Sequence, residues 1–140
     1  MAGWCILSIR KGRHCAFELH AHLVFSTKYR GKVFNDKHLE TLEGIFRHVC
    51  NEFEVELVEF NGEMDHIHIL VHYPPKVQLS KLVNSLKGVS SRKMKLYHPE
   101  LVKPAYLKNA LWARSYFAGS CGGASIDVLK TYIENQARPD

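Results

Sequence analysis

Two β-rich runs separated by a turn signal constrain this chain more than any other feature. Residues 54–60 read EVELVEF, residues 66–72 read HIHILVH, and Asn61-Gly62 lies between them. Asn-Gly favours tight hairpins because both residues tolerate the left-handed backbone such turns need. The spacing predicts an antiparallel hairpin pairing strand 54–60 with strand 66–72. In the second run His66 and His68 alternate with Ile67, Ile69 and Val71. Side chains alternate across a strand, so the two histidines share one face, about 7 Å apart, and the aliphatics share the other.

The flanking segments extend this pattern. Residues 19–26 (LHAHLVFS) set Leu19, Ala21, Leu23 and Phe25 against His20, His22, Val24 and Ser26, a strand with one buried face. TKYRGK follows as a basic turn. From Asp36, read as the cap, Leu39, Leu42, Phe46, Val49 and Phe53 recur at helical steps. Pro74-Pro75 closes the hairpin's second strand. Leu79, Leu82, Val83 and Leu86 then mark a second helix to about Tyr97, whose other face (Lys81, Asn84, Gly88, Ser91, Arg92, Lys95) is small and basic. Residues 98–112 carry no clear pattern. Residues 114–118 (RSYFA) read as a short strand and 119–123 (GSCGG) as a flexible joint. A last helix at 124–137 has Ile126, Leu129 and Ile133 as its apolar stripe.

The order β-α-β-β-α-β is the split βαβ of ferredoxin-like and RRM-like folds. An α+β domain is expected: an antiparallel sheet, both helices on one face, first and third strands central, plus the C-terminal helix. The second face is open unless something covers it. At 140 residues a single domain over 1–140 is expected, with 1–17 an N-terminal extension.

Charge is unevenly placed. The formal net charge of +5 divides into +5 over residues 1–32, −7 over 33–75, +8 over 76–114 and −1 over 115–140. Two basic segments around an acidic one suit a polyanion, since clustered cations gain affinity by releasing condensed counterions; a solvated surface would carry the same charges. The cysteines (Cys5, Cys15, Cys50, Cys121) form no C-x-x-C pair, which argues against a structural zinc site and for a reducing compartment. No apolar run reaches the roughly 20 residues of a membrane helix, and the N-terminus lacks a signal-peptide layout. A cytoplasmic protein is expected.

Neutral imidazole is the commonest metal ligand, so His66 and His68 are candidates. An H-x-H pair on a strand is nevertheless unspecific, and His20 and His22 repeat the same spacing. Either pair could ligate, support a ligand, contact nucleic acid or be merely exposed. Tyr132 and Gln136, four apart, share a helical face. That is the layout of a nucleophile beside an amide ligand, and equally of a packing tyrosine beside a solvated glutamine.

Several stretches in fixed order carry a resemblance. They are Phe25-Ser26-Thr27-Lys28-Tyr29-Arg30, Asp65-His66-Ile67-His68-Ile69-Leu70, Leu86 to Arg92 (LKGVSSR), Leu111-Trp112, Ser115-Tyr116-Phe117, Gly119 to Gly123, and Tyr132-Ile133-Glu134-Asn135-Gln136. Over residues 18–137 the chain resembles the single-tyrosine HUH transposases of small insertion sequences, HUH meaning His-hydrophobic-His. Cys121 departs from the small or β-branched residue expected there.

The resemblance implies His66, His68 and Gln136 as ligands of a divalent Mg2+ or Mn2+, and Tyr132 as the nucleophile. It implies single-stranded DNA with hairpins as substrate, no nucleotide cofactor, and a homodimer whose last helix reaches the partner's site across the Gly122-Gly123 joint. Lys28, Tyr29, Arg30, Lys87, Arg92 and Lys93 are the candidate DNA contacts. Competing readings are a domesticated relative acting on chromosomal palindromic repeats, a non-catalytic single-strand binding module, and a metal-dependent hydrolase.

Overall fold

The computed structural model describes residues 10–11, 16–102 and 110–120. The expected helix at 124–137, with Tyr132 and Gln136, lies outside the described residues, as do Cys5, Cys15 and Cys121. The elements in chain order are β1 (Arg10–Lys11), β2 (Ala16–Phe17), β3 (His20–Ser26), α1 (Asp36–Glu52), β4 (Glu56–Gly62), β5 (His66–His72), α2 (Leu79–Tyr97) and β6 (Phe117–Ser120). Short 3-10 turns cover Lys28–Arg30 and Pro99–Val102.

The main sheet runs β4-β5-β3-β6, and all three pairings are antiparallel. This is the expected ferredoxin-like order with β3 and β5 at the centre. β1 and β2 pair as a separate ribbon. Ala21, Leu23, Phe25, Ile67, Ile69 and Val71 from the central strands join Leu42, Phe46 and Val49 of α1 and Leu82, Leu86 and Met94 of α2 in one core. Burying each of the larger side chains stabilises the fold by roughly 1.5–3 kcal/mol relative to exposure. Trp112 seals this layer, donating its indole N–H to the buried Ser90 hydroxyl at 2.9 Å.

Local chemistry moves several boundaries. The N-cap of α1 is Asn35, not Asp36. The Asn35 side chain accepts from the His38 backbone N–H, and the His38 ring accepts from the Asn35 N–H, a reciprocal box that Asp36 is one residue too late to form. α1 ends with Val55 N–H on the Cys50 carbonyl and Glu54 N–H on the Asn51 carbonyl, the two bonds of a Schellman cap. Glu54 takes the left-handed position (φ 60°) usually held by glycine, so β4 starts at Glu56.

Asn61 and Gly62 do not form the hairpin turn. They pair within β4, opposite His68 and Ile67, and the turn is Met64-Asp65, closed by the Glu63 N–H on the His66 carbonyl at 2.8 Å. Gly62 is needed for a different reason: a Cβ there would lie 2.5 Å from Leu39 Cδ2 and 3.2 Å from Ile67 Cδ1. The last strand also shifts. Ala118, Gly119 and Ser120 pair with Leu23, His22 and Ala21, so part of the expected joint belongs to the sheet.

The second sheet face is not open over its central strands. Val24 and Leu70 are fully buried there, and His20, His22 and His72 nearly so. Phe17 contributes, meeting the His72 ring edge-on at 5.7 Å. The segment expected as an extension thus reaches the sheet at Phe17.

Candidate metal and DNA site

The turn that precedes β5 is gripped by residues 27–34. Thr27 N–H donates to the Asp65 carbonyl at 3.0 Å, and the Val33 and Phe34 N–H groups both donate to the Met64 carbonyl at 3.0 Å. Between them Tyr29 and Arg30 take left-handed φ values of 56° and 54°. For non-glycine residues this costs roughly 1–2 kcal/mol each. It turns the Tyr29 ring outward, 43% exposed, with the Lys28 ammonium 5.6 Å from its centroid. Arg30 turns inward, its Nε 2.8 Å from Asp65 Oδ2. The other carboxylate oxygen of Asp65 accepts from His66 Nδ1, also at 2.8 Å.

His66 and His68 face away from the helices and are half-buried. His68 Nε2 lies 2.9 Å from His22 Nδ1, one nitrogen donating and the other accepting. Burial lowers the pKa of His68, and the neighbouring His66 lowers it further. Burial and then His68 do the same to His22. A lowered pKa favours the neutral ring, and a neutral imidazole has a lone pair that a cation can use. The other H-x-H member stands apart. His20 stacks on His72 with centroids 4.2 Å apart and planes 20° from parallel, a packing arrangement.

A second group of metal-competent side chains lies in the helical layer. His38, His98 and Glu100 offer ligand atoms all within 4.8 Å of one another. In this structure they are joined by hydrogen bonds. His38 Nε2 lies 2.8 Å from Glu100 Oε2 while its Nδ1 accepts the Asn35 N–H, which places the ring proton on Nε2. A cation at Nε2 would have to displace that proton, at the expense of the α1 cap.

The expected DNA contacts divide. Lys28, Tyr29 and Arg30 gather beside His66, although Arg30 directs its Nε to Asp65. Lys28, Tyr29, Trp112 and Arg114 line a cleft of about 280 Å3. The Lys87 ammonium is engaged within the protein, donating to the carbonyls of Ala113, Arg114 and Ser115 at 2.7, 3.0 and 3.3 Å. Arg92 is exposed and Lys93 half-exposed on α2, across the sheet from the histidine face. A separate cleft of about 500 Å3, lined by Arg47, Asn51, Glu54 and Leu57, contains none of these residues. Residue types alone gave no role to Asp65 or Arg114, and left His22 among several alternatives; the contacts of Asp65 with Arg30 and His66, and of His22 with His68, come from pairing across the fold.

Fold and site define a ferredoxin-like domain with a His-hydrophobic-His pair on a central strand, backed by a carboxylate. Residues 15–136 match the family of IS200-like transposases. The chain belongs to that family and is a DNA transposase. It is 29% identical over 130 residues to the ISDra2 transposase TnpA of Deinococcus radiodurans, covering 93% of this chain and 92% of the relative. A crystal structure of a transposase from Deinococcus radiodurans superposes with a TM-score of 0.83 at 32% identity, covering 92% of this chain and 98% of that one. A REP-associated tyrosine transposase bound to a REP hairpin shares the fold, with a TM-score of 0.57 at 9% identity over 89% of this chain and 68% of that one. No helix among the described residues is long and apolar enough to cross a membrane.

Proposed function

We propose that this chain cleaves and rejoins single-stranded DNA at insertion-sequence ends through a 5′-phosphotyrosine on Tyr132. The observation that carries the reading is the His66–His68 pair on one face of a central strand, backed by Asp65, in a chain of this family. Tyr132 attacks the scissile phosphorus, the phosphodiester's 3′ oxygen leaves as a hydroxyl, and the new ester stays on the tyrosine. Attack by the 3′-hydroxyl of another strand reverses the step, so no nucleotide cofactor is needed.

A free phenol, with a pKa of about 10, is a weak nucleophile at neutral pH. His66, His68 and Gln136 would hold a divalent cation, which when bound would supply polarisation of the phosphate's non-bridging oxygens. Two imidazoles and an amide favour Mn2+ over Mg2+ by ligand type, and abundance selects between them.

Lys28, Tyr29 and Arg114 form the nearest DNA-contacting surface, with Tyr29 placed to stack on an unpaired base. Arg92 and Lys93 give a second basic surface on α2 for the terminal hairpin. The working unit is a homodimer in the cytoplasm at the nucleoid, each helix 124–137 serving the partner's histidines.

The test is incubation of the purified protein with single-stranded DNA from both ends of its own locus, with Mn2+, followed by a denaturing gel. A protein–DNA band that survives denaturation and is lost in Tyr132→Phe supports the reading. Binding with no adduct on either strand sinks it in favour of a binding module.

A further inference from the structure

We infer that Arg30 and Asp65 are positioning residues for His66, forming a relay that links the basic turn to the metal ligand. The inference rests on the reading of His66 as a ligand. Imidazole has two nitrogens and, when neutral, one proton. Which nitrogen can ligate is decided by what the other one meets. Asp65 Oδ1, 2.8 Å from His66 Nδ1, is a carboxylate oxygen that accepts, so His66 Nδ1 is the nitrogen that carries the N–H and donates it. The Nε2 lone pair is thereby left for the cation. Ligating histidines are commonly oriented in this way by a carboxylate.

Asp65 is itself held at three points. Arg30 Nε grips Oδ2 at 2.8 Å, Thr27 N–H grips the carbonyl at 3.0 Å, and the turn that carries Asp65 is anchored by Val33 and Phe34 through the Met64 carbonyl. Arg30 meets the carboxylate from a stretch in which both it and Tyr29 take the left-handed backbone. The same two strained residues therefore expose Tyr29 towards the cleft and aim Arg30 at the metal site. DNA seated on the turn and cation seated on His66 share one rigid support.

The first measurement needs no variant. In metal-free wild-type protein, 15N NMR of the imidazoles should report the Nδ1–H tautomer for His66; an Nε2–H tautomer overturns the relay. The second is Mn2+ titration by calorimetry of the full chain without DNA, for wild type, Asp65→Asn, Arg30→Lys and His66→Ala. Loss of one such supporting partner typically weakens metal binding 10–100-fold. Asp65→Asn should fall in that range, Arg30→Lys should move the same way by less, and His66→Ala should abolish binding. Metal-free thermal melts show whether each variant folds.

In adduct assays the defect should lower kcat at saturating DNA and be partly restored by excess Mn2+. Unchanged Mn2+ affinity in a folded Asp65→Asn, with His66→Ala abolished, overturns the relay while leaving the metal reading intact. Wild-type protein with no His66-dependent Mn2+ binding instead sinks the metal reading, and the NMR tautomer still tests the hydrogen bond.

Discussion

β3 and β5 carry the same H-x-H spacing on the same face of adjacent central strands, yet their histidines live in different surroundings. His20 is stacked on His72 and 4% exposed, and its Nε2 meets no hydrogen-bond partner among the described residues. His22 is engaged by His68. His66 sits at the strand's open end, with a carboxylate behind it and a basic turn beside it. Spacing places an imidazole on a face. The neighbours decide whether it packs, supports or ligates.

The sharpest way to break this comparison is to remove one histidine from each pair. His66→Ala should lower adduct formation by roughly 10²–10⁴-fold, the equivalent of the several kcal/mol a metal ion contributes to charge stabilisation. Its metal-free melting temperature should change little. His20→Ala should do the reverse, leaving the adduct rate near wild type while destabilising the fold by about 1–3 kcal/mol through loss of a packed ring. Equal activity losses in the two variants would mean that β3 and β5 contribute alike.

The next contrast is between the two basic surfaces. Lys87→Met deprives three backbone carbonyls of their shared donor and should destabilise the protein by about 1–3 kcal/mol in urea unfolding. The salt dependence of DNA binding should be unchanged, because no phosphate contact is lost. Arg92→Ala should show the opposite pattern: normal stability and a shallower salt slope, by about one unit. A shallower slope for Lys87→Met returns that lysine to the DNA surface.

The two parts of the molecule were not equally legible in the sequence. The order of elements, the central pairing of the two histidine strands and the limits of α2 follow from apolar periodicity, which reports burial directly. The turn between β4 and β5 does not. Asn61-Gly62 has turn chemistry, but Gly62 is glycine because α1 passes over it, a tertiary demand invisible to a local pattern. The partners of Lys87 and Arg30 were hidden in a similar way. A cation in a basic run looks solvated until the fold supplies a carbonyl nest or a carboxylate from a distant segment.

Gly62→Ala tests that distinction with a smaller effect. The added methyl must push aside Leu39, a side chain with some freedom, so the cost should be about 1 kcal/mol, at the low end for overpacking. Combining it with Leu39→Ala should give less than the sum of the two single effects. Strict additivity would show that Gly62 acts through its backbone conformation and not through the space above it.

The smallest effect is a pH dependence that belongs to the β3 histidines. His20 is held below its ordinary pKa of 6.5 by burial and then by His72, against weaker opposite pulls from Glu18 and Glu56. As pH falls through about 6.5 the unfolded chain takes up this proton before the folded chain does. The stability attached to neutral His20 is therefore complete above that pH and is lost progressively below it, down to the folded pKa. Urea midpoints should drop between pH 7.5 and 5.5. His20→Phe keeps a flat ring against His72 but has nothing to titrate, so its midpoint should drop less. Some slope will remain, because His22 and His68 are displaced in the same direction. Identical slopes in the two proteins would show that the stacked His20–His72 pair is indifferent to protonation, and its contrast with His66 and His68 would then rest on geometry alone.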